Sequence, residues 1–354
     1  MPAELTFRIA GTDEERRAAQ HVRYQVYCEE AGILLPHADR VRRLLIEPGD
    51  DRGVLLLAYS DAEVIGSVRL LFGRDGALTR DHRETLRVDE FERIVGAERL
   101  VVVERLGLVA AFRGQRRVSI GFILELVRVA CVRRADVLLA DSEPHLLPMY
   151  RQLGMLPIGP PFDLVTAVVV PLVILLRDQQ HLERLASPLA RTVAGHFSTA
   201  PEPELLALLP RAGSEVILDA DDSRRIGLFD GLTELQIAIV TREAEVLTFD
   251  AGTRIVNEDR QNTTLYVVLD GVVQVSTSER ELAFLGAGEV FGEFAFLLCR
   301  PRSATVRAKT RTTLAALSTG ALDRLIASHP TIGVEIFRNL ARAIARKLDP
   351  HDDG

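Results

Sequence analysis

Residues 288–305 read Gly288-Glu289-Val290-Phe291-Gly292-Glu293-Phe294-Ala295-Phe296-Leu297-Leu298-Cys299-Arg300-Pro301-Arg302-Ser303-Ala304-Thr305. Gly292 lets the backbone come close to a ligand. A short helix starting after Glu293 aims unpaired amides at an anion. Arg302 supplies a forked, permanently charged partner for a phosphate. Glu293 supplies an acceptor for a ribose hydroxyl. The plainer reading is a barrel wall in which Arg302 pairs with Glu293.

Around this segment the chain shows short apolar runs at near-regular spacing: Glu245–Phe249, Leu265–Leu269, Val272–Val275, Leu282–Leu285, Thr305–Ala308 and Leu314–Leu317. Glycines punctuate them, and Asp270-Gly271 between two runs predicts a tight hairpin. The pattern predicts a small antiparallel barrel or jelly roll. A helical tail follows. Phe337, Leu340, Ala341, Ile344 and Leu348 share one face, with Arg338, Arg342 and Arg346 on another. Such a face serves as a lid or pairs two subunits, a possible homodimer.

The 288–305 segment resembles the phosphate-binding cassette of cyclic nucleotide-binding domains, F-G-E-x-A followed by R-x-A-T. Phe291, Gly292, Glu293, Ala295, Arg302, Ala304 and Thr305 carry the match. The resemblance extends over 227–350 and implies a β-roll flanked by helices. It implies that Glu293 binds the ribose 2′-hydroxyl and Arg302 the exocyclic phosphate oxygens. Gly292, Ala295 and Ser303 would line the pocket. In that family cGMP-selective members often carry Thr where Ser303 stands, so cAMP is the expected ligand. Many bacterial relatives continue into a DNA-binding helix-turn-helix. The residues after Leu348 are too few for one, so the expectation is no nucleic-acid partner.

The first 180 residues have another character. Thr12-Asp13-Glu14-Glu15 is a capping box, and Ala19, Val22 and Val26 follow at helical spacing, which predicts a helix over 13–30. Val54–Tyr59 and Val64–Phe72 read as neighbouring antiparallel strands, and Leu100–Leu108 as another. A helix is expected over Ile120–Cys131, a strand over Val137–Ala140, a short helix over Leu146–Leu153, and one or two strands within Val165–Leu176. This order predicts an α/β domain with a mixed sheet. Gln179–Phe197 reads as a connecting helix. Ser198-Thr199-Ala200-Pro201-Glu202-Pro203-Glu204 reads as a linker. The expected division is 1–180, a helix and linker over 181–226, and 227–350.

Arg113-Gly114-Gln115-Arg116-Arg117 stands between a strand and a helix, where exposed amides and arginines suit a pyrophosphate or phosphopantetheine. With Tyr150-Arg151-Gln152-Leu153-Gly154-Met155 it resembles the R-G-x-G-x-A/G turn and the L-Y-x-x-L-G-F end of the GNAT N-acyltransferase fold. Arg116 and Val118 depart from that turn's small residues. Arg23-Tyr24-Gln25-Val26-Tyr27 through Gly32, and Gly66-Ser67-Val68-Arg69-Leu70-Leu71, are similar to segments of its autoinducer-synthase-like branch. That branch holds acyl-homoserine-lactone synthases and long-chain N-acyl amino acid synthases. Over 8–180 the resemblance implies transfer of an acyl group from acyl carrier protein or acyl-CoA to the α-amine of an amino acid or a similar small molecule.

Glu104, or a water it holds, is then the expected base, Tyr150 the donor of a proton to the leaving thiolate, and Arg23 and Arg69 the acceptor-binding residues. The family's carboxylate stands three residues before an arginine. Here Val102 has that place relative to Arg105, and Glu104 adjoins the arginine. A structural alternative pairs Arg23 and Arg69 with Asp50 or Asp51. Arg113, Arg116, Arg117, Arg128, Arg133 and Arg134 stand against Glu125 alone between 113 and 134, a patch suited to an acidic carrier protein.

Composition sets the outer limits. The 354 residues suit two domains, and the net charge of −7 argues against a general polyanion binder. There is no Trp, which argues against a base-stacking platform. Lysine occurs only at Lys309 and Lys347, which reads as a preference for arginine codons rather than a functional signal. Leu164–Leu176, the longest apolar run, contains Pro171 and is shorter than the roughly 18–20 residues of a bilayer span. The acidic N-terminus lacks a secretory pattern, so a cytoplasmic location is expected. Cys28, Cys131 and Cys299 show neither disulfide nor metal spacing. The reading is a cyclic-nucleotide-regulated N-acyltransferase without metal. The alternatives are a cAMP-regulated protein-lysine acetyltransferase and a catalytically inactive nucleotide-responsive module.

Overall fold

The computed structural model describes residues 4–33, 35–143, 146–164, 168–209, 226–259 and 263–348. The chain divides into two compact units. One holds Met1–Asp141, Met149–Gly159 and Pro171–Pro210. The other holds Ser142–Pro148, Pro160–Val170 and Arg211–Gly354.

The first unit is built on a mixed sheet. Its strands are β1 (Leu5–Ile9), β2 (Val54–Ser60), β3 (Glu63–Phe72), β4 (Leu100–Leu108), β5 (Val137–Ser142), β6 (Leu156–Pro157) and β7 (Val168–Leu175), in the order β1-β2-β3-β4-β5-β7-β6. From β1 to β4 neighbours run antiparallel. β4 and β5 run parallel, in register from Leu100–Val137 to Val103–Ala140. β2 is buried almost throughout, as a strand covered on both faces must be.

Thr12 caps the helix Asp13–Arg23 through the expected capping box, and Ala19 and Val22 turn inward. The helix then widens into a π-helix over Tyr24–Glu30. The helix Arg116–Val132 buries Val118, Phe122, Ile123 and Leu126, with Phe122 stacked on Phe7 of β1 at 5.6 Å. Edge strand β1 was not expected, because its Thr6 and Arg8 break the apolar run.

The single helix expected over Gln179–Phe197 is two, Gln179–Arg184 and Leu189–Val193. Ala186 adopts φ 50° between them and Pro188 has no N–H to continue the first. Nor is Ser198–Glu204 a free spacer. It leads into the helix Pro203–Leu208, whose Leu205 packs with Leu71, Phe91 and Val95 in the core of this unit. Residues 210–225, expected as linker, lie outside the described residues.

The second unit carries two antiparallel sheets. Its strands are β8 (Glu245–Phe249), β9 (Arg254–Val256), β10 (Leu265–Asp270), β11 (Val273–Ser276), β12 (Glu281–Leu285), β13 (Val290–Phe291), β14 (Thr305–Ala308) and β15 (Thr312–Leu317). One sheet is ordered β8-β15-β10-β13 and the other β9-β14-β11-β12. The hairpin expected at Asp270-Gly271 is absent, since β10 and β11 belong to different sheets. Gly271, at φ 88°, is a corner: a Cβ there would lie 2.5 Å from the Arg311 carbonyl oxygen and 2.7 Å from Thr312 Oγ1. β9 and β13 have only three and two residues, too few to show a period in sequence. Val240, Leu265, Val267, Phe296, Leu317, Leu325, Ile336 and Leu340 form one core between sheet and flanking helices.

Candidate functional site

The cassette folds around Gly292 and Arg302. Gly292 stands at φ 86° and caps the short helix Glu293–Leu298. A Cβ at this position would meet the Arg302 guanidinium at 2.1 Å and the Thr264 carbonyl oxygen at 2.8 Å. Only glycine accepts both the dihedral angle and the space. Arg302 is 3% exposed. Its Nη2 donates to the Thr264 carbonyl at 2.5 Å and its Nη1 to the Gly292 carbonyl at 3.1 Å. The guanidinium also lies over the Tyr266 ring at 5.6 Å, and Tyr266 stacks on Phe291. Burial lowers the Arg302 pKa from its ordinary value, so a phosphate there would meet a poorly hydrated cation.

Glu293 and Ala295 are buried, Ser303 is exposed and Ala304 half-buried. Thr305 Oγ1 accepts from the Glu258 amide at 3.1 Å. Among the described residues no ion pair joins Arg302 to Glu293, the arrangement of the plainer reading. Glu293 instead accepts from Lys347 Nζ at 2.9 Å, and Lys347 also donates to the Val290 carbonyl at 2.6 Å. Lys347 lies in the last turn of the helix Pro330–Leu348. Its rarity, together with its place at the end of an amphipathic helix, was the available signal. On the same helix Val334, Phe337 and Leu348 stay exposed.

In the first unit a charged cluster lies against β3 and β4. Arg23 donates to both Asp50 oxygens, at 2.9 and 2.8 Å. Arg69 donates to Asp50 at 2.6 Å and, through Nε and Nη2, contacts Glu104 Oε1 at 2.8 and 2.6 Å. Arg105 binds Glu47 through two bonds of 2.9 and 2.6 Å. His82 Nε2 lies 3.4 Å from the other Glu104 oxygen. Thus Arg23, Arg69 and Glu104 are brought together, with Asp50 rather than the exposed Asp51 as their bridge. Burial alone would raise the Glu104 pKa, but the His82 hydrogen bond and Arg69 hold it down at about 2.

Tyr27, whose hydroxyl donates to the Leu106 carbonyl at 3.2 Å, is pushed up to about 12 by burial. Burial also raises Tyr150 above the ordinary phenol value. A phenol so tightly protonated serves as a hydrogen-bond donor rather than as a source of a released proton. Sequence reading missed Glu47, His82 and Asp141.

The Arg113–Arg117 turn is exposed throughout, with Gly114 at φ 75°. Arg113 donates to the Leu108 carbonyl and pairs with Glu30, and Gln115 Nε2 donates to the Ala111 carbonyl. Arg116 and Arg117 open the helix that follows. The basic patch is smaller than its sequence suggests, because Arg128 pairs with Glu125 and Arg133 with Asp75.

Residues 246–329 match the cyclic nucleotide-binding domain family. A cGMP-dependent protein kinase of Eimeria tenella is 34% identical over 115 residues, covering 32% of this chain and 11% of the kinase. A CRP-like cAMP-activated global transcriptional regulator of Mycobacterium tuberculosis is 27% identical over 127 residues, covering 34% of this chain and 57% of the regulator. Among solved structures, the Thermus thermophilus catabolite activator protein aligns at 31% identity with TM-score 0.32, covering 34% of this chain and 58% of its own. This chain therefore spans a minor part of the kinase and little over half of the regulator. Its C-terminal part carries a cyclic nucleotide-binding domain. No helix among the described residues is long and apolar enough to cross a membrane.

Proposed function

We propose that this protein is a cyclic-nucleotide receptor whose C-terminal domain takes cAMP and whose N-terminal unit is the responding part. The observation that carries the reading is the Gly292–Arg302 cassette within the matched residues: a buried guanidinium held 3.1 Å from the Gly292 carbonyl. Arg302 turns to the phosphate, Glu293 to the ribose hydroxyl, and Phe291, Gly292, Ala295, Ser303 and Ala304 shape the seat. The two relatives above are described by cGMP and by cAMP, so the base is decided by experiment. Calorimetric titration of the full chain with cAMP and with cGMP tests it. Micromolar or tighter binding of cAMP, stronger than cGMP, is expected, and no heat with either refutes it.

The responding unit fits N-acyl transfer from acyl-CoA or acyl carrier protein to an amine. Three features support this reading: the polar cluster around Glu104, the end of β4–β5 pairing at Val103 and Ala140, and the exposed Arg116 and Arg117 at a 17-residue helix start. Unpaired strand amides polarise a thioester carbonyl, and the helix start takes a pyrophosphate. Turnover assays with both donors and a panel of amines, at saturating cAMP or cGMP, test this. Acetylated protein lysine as product would make it a lysine acetyltransferase. No turnover at all would leave a nucleotide-responsive binding module, which the three saturated arginines of the cluster favour. The exposed row Val334, Phe337 and Leu348 fits pairing of two copies, read by sedimentation.

A further inference from the structure

We propose that Asp141 is the group that takes the proton from an incoming ammonium in the N-terminal unit, and that Glu104 is a fixed anion that holds that ammonium in place. This rests on the acyl-transfer reading and goes beyond it, since nothing in the sequence pattern pointed to Asp141.

Place comes first. The last registered pair of β4 and β5 is Val103 with Ala140. Glu104 and Asp141 are the next residues on these two strands, about 4.8 Å apart, and continuing the register by one step puts both side chains on one face. β4 then departs. Arg105 adopts φ 56°, and the β3–β4 register slips between Ser67–Gly107 and Arg69–Glu104. A bulge of this kind re-aims side chains and ends pairing. The two carboxyl groups therefore stand where the sheet opens.

Their partners differ. Glu104 is engaged on both oxygens, by Arg69 and by His82. The Thr79 amide donates to His82 Nδ1 at 3.1 Å, so in the neutral ring Nε2 carries the proton and donates to Glu104. No hydrogen bond or ion pair reaches the Asp141 carboxyl among the described residues. The charged and titratable groups within electrostatic reach of it are Glu104 and Arg105 of β4, His82 of the helix Arg80–Thr85, Tyr27 of the π-helix and Tyr150 of the helix Leu147–Leu153. Burial and then the Glu104 anion push the Asp141 carboxyl up to about 6. A base works best near the operating pH, which Asp141 meets and Glu104, at about 2, does not.

Charge agrees with geometry. Arg23, Arg69 and Arg105 are balanced by Glu47, Asp50 and Glu104. Asp141 adds one unbalanced negative charge when ionised, which a primary ammonium would neutralise. With each guanidinium already bound to a carboxylate, none is left for an acceptor's own carboxylate. The acceptor class is thus a primary amine that needs no adjacent carboxyl group. In the step, the ammonium gives one proton to Asp141, and the freed amine forms the C–N bond at the thioester carbonyl. The C–S bond breaks, and the second N–H proton passes to the sulfur. Asp141 then releases its proton to water.

The test is kcat/KM from pH 5 to 9 for the full chain, with acetyl-CoA and acyl carrier protein as donors. Acceptors are primary amines with and without an α-carboxylate, and cAMP and cGMP are each present at saturation. Wild type should show an acid limb near pH 6 and prefer amines without the carboxylate. Asp141→Asn should lose the limb and at least about 100-fold in rate, with its thermal midpoint no lower than wild type at pH 7.5. Glu104→Gln should keep a limb, moved to lower pH because the neighbouring anion is gone. Wild-type turnover with an unchanged rate and limb in Asp141→Asn would overturn this assignment alone. No wild-type turnover with any donor or amine would overturn the acyl-transfer reading and this assignment with it.

Discussion

Removing the Lys347 ammonium should tighten cyclic nucleotide binding while loosening the empty protein. Lys347 Nζ holds Glu293 at 2.9 Å, and Glu293 is the residue expected to receive the ribose hydroxyl. The Glu293 side chain is 5% exposed and that of Lys347 31%. A hydrogen bond to a charged group is worth about 1.5–3 kcal/mol. Because the ammonium is partly in water, about 1–2 kcal/mol is the fair value here. Lys347→Met keeps the stem and removes the charge. In the empty protein Glu293 is left a buried anion without that donor. In the complex the 2′-hydroxyl takes the donor's place, so the loss falls mainly on the empty state. Affinity should rise roughly 5–30-fold, and the ligand-free melting midpoint should fall by a few degrees. Calorimetry and a ligand-free melt read the two effects, with Lys309→Met as the charge-matched control. A lower midpoint with unchanged or weaker affinity would refute the competition and leave Lys347 a purely structural cation.

Further outcomes follow from the same geometry. Arg302→Ala should weaken cyclic nucleotide binding at least about 10-fold by calorimetry, since it removes the buried counter-charge; equal affinity would refute the seat. Gly292→Ala places a methyl against Arg302 and Thr264 at a positive φ, and urea denaturation should show a loss of about 1–3 kcal/mol. The raised Asp141 pKa stabilises the fold fully below its ordinary value of 3.8, and this contribution is lost as pH rises through about 6. Asp141→Asn should therefore gain about 1–3 kcal/mol over wild type at pH 8 and almost nothing at pH 4; equal stability at both would show that the carboxyl is not raised. Replacing Arg113, Arg116 and Arg117 together by Ala should abolish use of either acyl donor while leaving the cyclic nucleotide dissociation constant unchanged.

Legibility of this chain followed the range of the forces involved. The cassette was readable because its requirements are local: a residue that tolerates φ 86° at Gly292 and a cation ten positions on. Strands β2, β3 and β4 were readable because each holds one apolar run long enough to show its kind. Asp270-Gly271 misled for the opposite reason. Its residues do favour a sharp turn, but whether the flanks pair with each other depends on distant strands. Here both flanks pair with the chain beyond residue 300: β10 with β15, and β11 with β14. The break at Ala186–Pro188 was visible in the proline alone, yet the apolar residues on either side resembled one helix face.

The charged cluster of the first unit shows the same division in sharper form. Glu104 drew notice because it adjoins Arg105 on a strand, a local fact. What decides its chemistry is not local. Arg69 comes from the neighbouring strand, and His82 from a helix whose own capping fixes the ring's tautomer. Those contacts make Glu104 a poor base while making it a good fixed anion. Asp141 lies 37 positions further along the chain, and only the parallel register of β4 with β5 sets it beside Glu104. Two carboxyl groups on adjacent strands are thereby held far apart in acidity, at about 2 and about 6. Environments that separate a pair in this way divide the work of holding a charge from that of moving a proton. If Asp141→Asn and Glu104→Gln proved interchangeable in their effect on the pH profile, that division would not exist.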